Sequence, residues 1–192
     1  MTTGTTVGAR EDTRARLLTT ALRLFTEHGV EGTSLQMIAD ALGVTKAAVY
    51  YHFKTKDEIT EAVTEPVLRE LYAITEEAVK QRRRGAQIDH MLAGFVDIVV
   101  RHRALVALFS SDPGIARAIE KSLHGEESLK TRLFSVLAGP EPRMATIVAV
   151  HVLLPGIALA GGAPDLADLD DESLREHLLA IGHKMLGRPR RH

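Results

Sequence analysis

Between Thr33 and Lys56 the chain reads T-S-L-Q-M-I-A-D-A-L-G-V-T-K-A-A-V-Y-Y-H-F-K-T-K. That spacing leaves room for little except two short helices pinned around a fixed turn. Thr33 can cap the first helix, and Gln36 three residues on completes a capping box. Leu35, Ile38, Ala39 and Leu42 recur at helical spacing as a buried stripe. Gly43 falls just past the last of them, where a left-handed residue ends a helix without a Cβ clash. Val44 plugs the gap, and Thr45 can cap a second helix whose inward face is Ala48, Val49 and Phe53.

Thr45, Lys46, Ala47, Tyr50, Tyr51 and His52 then point outward. From Val44 to Lys56 there are lysines at 46, 54 and 56 and no carboxylate. A helix pair of this shape, basic on its second helix, is a helix-turn-helix, the second helix suited to the groove of a DNA duplex. Upstream, Leu17, Leu18, Ala21, Leu24 and Phe25 share one helical face and Gly29 supplies a stop. Downstream, Thr55 and Glu58 form another capping box, with Asp57 and Glu58 at the positive end of a long helix. A headpiece of about 50 residues is marginal alone, so it is expected to lean on that long helix.

Lys plus Arg is 24 and Asp plus Glu 25, so attraction to DNA must come from local charge and not from net charge. Cysteine is absent, which excludes disulfides, thiolate metal sites and a cysteine nucleophile. Residues 1–10 are small and polar without an apolar core, and are expected as a flexible arm in a cytoplasmic protein.

From Lys56 onward the patterning is helical, and no strand or repeat emerges. Pro66 inside the long helix is expected to kink it near Glu65. Asp112-Pro113-Gly114 reads as a cap with proline in the first turn. Met144 to Ala163 is apolar for nearly the length of a membrane span. It contains Thr146, His151, Pro155 and a Gly-Gly pair, and the expectation is a helix buried in protein. The fold class is all-α: a three-helix helix-turn-helix headpiece followed by a C-terminal helical bundle, about nine helices in total. The expected divisions are an arm (1–10), a DNA-binding domain (11–56), a ligand-binding and dimerisation domain (57–187) and a basic tail (188–192).

The run from Arg14 to Ile59 resembles, without a gap, the amino-terminal domain of the TetR family of bacterial transcriptional regulators. L-F-x-x-x-G, T-S-x-x-x-I-A, A-L-G-V and V-Y-Y-H-F-K-T-K-D carry the resemblance. Val30 stands where an aromatic is common, Thr20 and Ala47 where Ala and Gly are. The resemblance implies that Thr45, Lys46 and Ala47 lie near base edges at the mouth of the recognition helix. It implies phosphate contacts for Tyr50 and His52, and a phosphate or thymine-methyl contact for Tyr51. Thr33 and Ser34 match the start of the preceding helix, whose amides can cradle a phosphate. Lys56 matches a lysine that anchors the DNA backbone.

A single helix-turn-helix gains specificity by pairing half-sites, so a homodimer is expected. The last two helices offer the apolar face for it: Ile147, Val148, His151 and Leu154 on one, Leu174, Leu178, Ile181 and Met185 on the other. The resemblance points to the same pair of helices. It also implies a largely apolar small-molecule effector between the long and middle helices, for which Leu68, Tyr72, Met91, Phe95, His102, Leu105, Phe109 and His124 are candidates. The functional expectation is a ligand-responsive repressor that binds a palindromic operator in double-stranded DNA as a homodimer and is released by a small molecule. A ligand-independent or activating dimer is the alternative. An enzyme with an appended helix-turn-helix would need a motif such as H-E-x-x-H or G-x-S-x-G, and neither occurs. No metal, cofactor or membrane is expected.

Overall fold

The computed structural model describes residues 4–123 and 128–187. Among them the chain forms ten α-helices and one 3-10 turn, with no strand. The headpiece comprises α1 (Gly4–Gly32), α2 (Leu35–Leu42) and α3 (Lys46–His52). The long helix α4 (Lys56–Val79) leads to α5 (Arg84–Arg101), α6 (Arg103–Ser111), α7 (Pro113–Leu123) and α8 (Leu129–Ala138). Helices α9 (Met144–Gly161) and α10 (Asp171–Met185) close the chain, with the 3-10 turn Pro164–Leu166 between them.

Local chemistry accounts for most boundaries. The hydroxyls of Ser34, Thr45, Thr55 and Ser128 accept the amides of Met37, Ala48, Glu58 and Thr131, capping α2, α3, α4 and α8. Asp170 caps α10 by accepting the Ser173 amide and hydroxyl, which holds its carboxyl below the ordinary range. Gly43 adopts φ 72°, and its amide and that of Val44 return to the carbonyls of Asp40 and Ala39.

Two expectations shift. The first helix starts at Gly4, so residues 4–10 continue a helix where an arm was expected; nothing between Gly4 and Gly29 is a proline that would stop it. The basic tail 188–192 lies outside the described residues. One more helix is present than was counted, because His102 leaves helical geometry (φ −110°, ψ 32°) and separates α5 from α6. Helix α4 runs through Pro66, which is exposed.

The packing ignores the boundary drawn near residue 56. The headpiece core of Leu17, Phe25, Ile38, Val49, Phe53 and Ile59 also contains Leu105 and Leu108 from α6 and Ile115 from α7. A fully buried Phe25 or Ile115 contributes about 1.5–3 kcal/mol, so the back of the headpiece is sealed by the middle of the chain. A second cluster joins α4, α5, α8 and α9 around Met91, Leu133 and Leu137. A third joins α5, α9 and α10 around Leu92, Val96, Leu153 and Leu174.

Candidate nucleic-acid interface

Helix α3 is short, and Val49 is its one buried residue. Val49 is fully buried and Phe53, just past the last turn, nearly so, under a cation–π contact from Arg14 at 5.2 Å. This anchoring turns the opposite face outward. Thr45, Lys46, Ala47 and Tyr50 are exposed, and Tyr51 is 61% exposed. The Lys46 ammonium lies 5.7 Å from the Tyr50 ring centre. The half-buried His52 packs edge-on against Tyr51, with ring centres 5.2 Å apart. Lys54 donates to the Tyr50 carbonyl at 2.6 Å, a cation on the negative end of α3. Six of the expected contact residues (Thr45, Lys46, Ala47, Tyr50, Tyr51 and His52) therefore share one short helix and its cap.

Thr33 does not join them. It is 1% exposed, and its hydroxyl donates to the carbonyls of Leu24 (3.2 Å) and Gly29 (2.8 Å). The cap of α2 moves one residue on, to Ser34, whose oxygen accepts the Met37 amide at 3.1 Å. The capping box expected with Gln36 is absent, since the Gln36 amide donates to Asp40 at 2.7 Å. Ser34 is left exposed at the positive end of α2, where a phosphate can sit.

Lys56 has a second occupation. Its side chain is 28% exposed, and its ammonium donates to the carbonyls of Val30 (3.0 Å) and Glu31 (3.2 Å), with the Glu31 carboxylate at 3.5 Å. It seals the corner between α1 and α2. Arg117 and Lys121 of α7 add ion pairs to Glu31 (3.8 Å) and Glu61 (2.6 Å) behind that corner. The Glu61 carboxylate holds Lys121 above the ordinary lysine range.

The seam expected for a second copy divides in two. Leu154, Leu174 and Leu178 are buried in the chain's own core against α5, as the inward halves of α9 and α10. His151, Val148, Ile181 and Met185 are exposed and Ile147 is partly so; the His151 ring stacks edge-on to Phe134 at 4.5 Å. Met144, Val152 and Leu159 extend the exposed stripe of α9, at intervals of about one or two helical turns. Spacing alone missed these three because α9 is apolar on every side. By length and composition α9 could cross a membrane, yet Val150, Leu153, Leu154 and Ile157 are packed inside protein.

The expected effector residues do not converge. Met91 is fully buried, its sulfur 3.7 Å from the Thr75 hydroxyl. Phe95 and Phe109 pack against core clusters. Tyr72 is half-exposed and its hydroxyl accepts from Arg132 at 3.2 Å. Leu68 lines an open groove of about 720 Å³ between α1, α4 and α7. His102 and Leu105 line another, of about 280 Å³, where α1 meets α4 and α6, and His102 lies 3.1 Å from Glu70. His124 is outside the described residues. Met91, Phe95 and Phe109 thus lie in or against the core clusters, while Leu68, His102 and Leu105 face grooves.

A sealed three-helix head presenting one short basic helix has the geometry of a helix-turn-helix. Residues 17–63 match the model of the family described as "Bacterial regulatory proteins, tetR family". The chain is 34% identical over 116 residues to the HTH-type transcriptional regulator BetI of Burkholderia mallei, covering 60% of this chain and 53% of BetI. It is 44% identical over 61 residues to a protein of Escherichia coli K12 named as probable acrEF/envCD operon repressor, covering 31% of this chain and 28% of that one. The chain thus spans about half the length of these relatives or less. The crystal structure of the TetR family regulator PfmR from Thermus thermophilus superposes with a TM-score of 0.67 at 22% identity, over 92% of this chain and 100% of that one. Residues 17–63 thus match the TetR family model, and the chain shares its fold with a solved protein titled as a member of that family.

Proposed function

We propose that this protein is a ligand-responsive transcriptional regulator, a repressor that binds a palindromic operator as a homodimer. The observation that carries the reading is the outward face of α3, where Lys46, Ala47, Tyr50 and Tyr51 are exposed on a head whose inner side is fully packed. Thr45, Lys46, Ala47 and Tyr51 read base edges or the adjoining backbone. Ser34, Tyr50 and His52 hold phosphates, and these contacts position the domain without specifying sequence. Two copies pair through the exposed stripe of Met144, Val148, Val152 and Leu159 with Ile181 and Met185, in the isologous manner common to dimers. An effector releases the operator only by binding the DNA-incompetent arrangement more tightly than the competent one. This reading places the protein in the cytoplasm and gives it no catalytic role.

Salt dependence tests it. If Lys46, Lys54 and Lys56 each neutralise a phosphate, the dimer makes about six such contacts and the log–log slope of affinity against salt is near −5. A slope near zero contradicts the reading. Lys56→Ala is expected to do two things. It should lower Tm by about 5 °C, since charge-assisted bonds to two carbonyls are lost. It should also flatten the slope by about 1–2. A less stable variant with the parent slope assigns Lys56 to the α1–α2 corner alone.

A further inference from the structure

Asp112 ends α6, is 9% exposed, and divides its two oxygens between two parts of the molecule. Oδ1 accepts the amides of Gly114 (2.7 Å) and Ile115 (3.2 Å), which is the ordinary work of a helix cap on α7. Oδ2 accepts the amide of Val30 at 2.7 Å, from a residue 82 positions earlier in the chain. That bond lands on the corner between α1 and α2 that Lys56 holds from the other side. The Val30 N–H is taken by Asp112 and the Val30 carbonyl by Lys56.

Close approach at this point is built into the neighbouring residues. Gly29 sits at φ 73°, and a Cβ there would lie 3.1 Å from Asp112 Oδ2. A Cβ on Gly114 would lie 3.0 Å from Asp112 Oδ1 and from a methyl of Val30. Thr33, whose hydroxyl closes the end of α1, and Ser34, which starts α2, follow directly. The corner therefore joins the head to the rest of the chain beside the shared core of Leu105, Leu108 and Ile115.

Resting on the regulatory reading above, we infer that Asp112 is a positioning residue for operator binding: its bond to the Val30 amide fixes the angle of the reading head on the body and so the distance between the two half-sites a dimer can reach. Two heads engage one palindrome only at half-site separations of about 34–36 Å or a multiple, and each head's angle sets that separation. A carboxylate suits the task because it accepts from both sides at once and offers no donor. Buried as it is, an amide left facing it unpaired is costly, so the corner is held in one arrangement and not in a range.

The chemistry supplies a variant that separates latch from cap. Asp112→Asn keeps one acceptor oxygen for the amides of α7, and asparagine caps as well as aspartate. Its NH2 then faces the Val30 N–H, donor against donor. Asp112→Ser caps α7 with a shorter side chain that does not reach across.

The full-length dimer is measured on one palindrome with its preferred spacer and on others lengthened by about two base pairs, alongside amide exchange at Val30. In both variants Val30 is expected to exchange at least about tenfold faster, while the Gly114 and Ile115 amides stay protected. Discrimination between the spacers is expected to fall about tenfold or more, with non-specific DNA binding unchanged. A loss of affinity equal across all spacers, or parental exchange at Val30, overturns the inference and leaves the regulatory reading intact. A parent protein that prefers no palindrome at all removes that reading and the inference with it.

Discussion

Val148→Asp is expected to yield a folded monomer whose operator affinity is lower by about a thousandfold or more, near the level of non-specific binding. Val148 is 54% exposed at the middle of the outer stripe of α9, so the substitution touches no core cluster. In a symmetric interface the new carboxylate meets its own copy or that copy's apolar stripe, and a buried unpaired charge is not tolerated there. Leu178→Asp, one helix away, is expected to do something different. Leu178 is 4% exposed and packs with Leu92, Val96 and Leu153 inside the chain. An aspartate there loses the packing and buries a charge without a partner, at a cost of more than about 4–5 kcal/mol, which removes most or all of the stability of a domain this size. Sedimentation and circular dichroism distinguish the two. A Val148→Asp variant that remains dimeric moves the interface off α9, and a soluble folded Leu178→Asp monomer contradicts the burial described here.

Gly162→Ala is expected to destabilise the chain by about 2–4 kcal/mol, at the upper end for overpacking. A Cβ at this position would lie 2.6 Å from both the Cα and the amide nitrogen of Ala107 in α6. The obstacle is backbone, so no side chain can swing aside. Gly161 makes a similar approach to Val99 of α5. Beside this contact Arg103 of α6 donates to the carbonyls of Leu169 (2.8 Å) and Leu166 (2.6 Å), tying the α9–α10 connection to the same helix. Pushing α9 off α6 therefore disturbs the stripe proposed for the partner as well as the third core cluster. Chemical denaturation should show a lowered midpoint, and concentration-dependent dissociation should appear at higher protein concentration than for the parent. Unchanged stability would mean that α6 and α9 are not in backbone contact.

Local signals were the legible ones. The caps Thr45, Thr55 and Asp112 and the stop at Gly43 were all readable, because each satisfies or ends a helix with chemistry lying within a few residues. The buried faces of α1 to α3 were readable for the same reason, as period-3.6 stripes. What failed required knowledge of distant partners. Thr33 and Ser34 are equally able to cap α2, and only the carbonyls of Leu24 and Gly29 decide between them. Leu154, Leu174 and Leu178 sit on faces that could meet either the chain's own α5 or a second copy. Periodicity does not distinguish those two partners. From the sequence, residues 104–110 could continue the helix before them or begin another; the break falls at His102, whose ring meets Glu70 of α4. Asp112 was readable as a cap, while its bond to Val30 had no signal in the sequence at all.

Operator recognition of this kind requires α3 to be presented twice to one duplex by a symmetric pair. Selecting bound sequences from a random double-stranded DNA pool, using the purified full-length protein, tests it most directly. The account predicts a two-fold symmetric consensus whose half-sites are centred about 34–36 Å apart or a multiple of that distance, and predicts that Lys46→Ala or Tyr51→Ala changes the bases preferred within each half-site. A pool that converges on no sequence, or on a single asymmetric element bound by one copy, contradicts it.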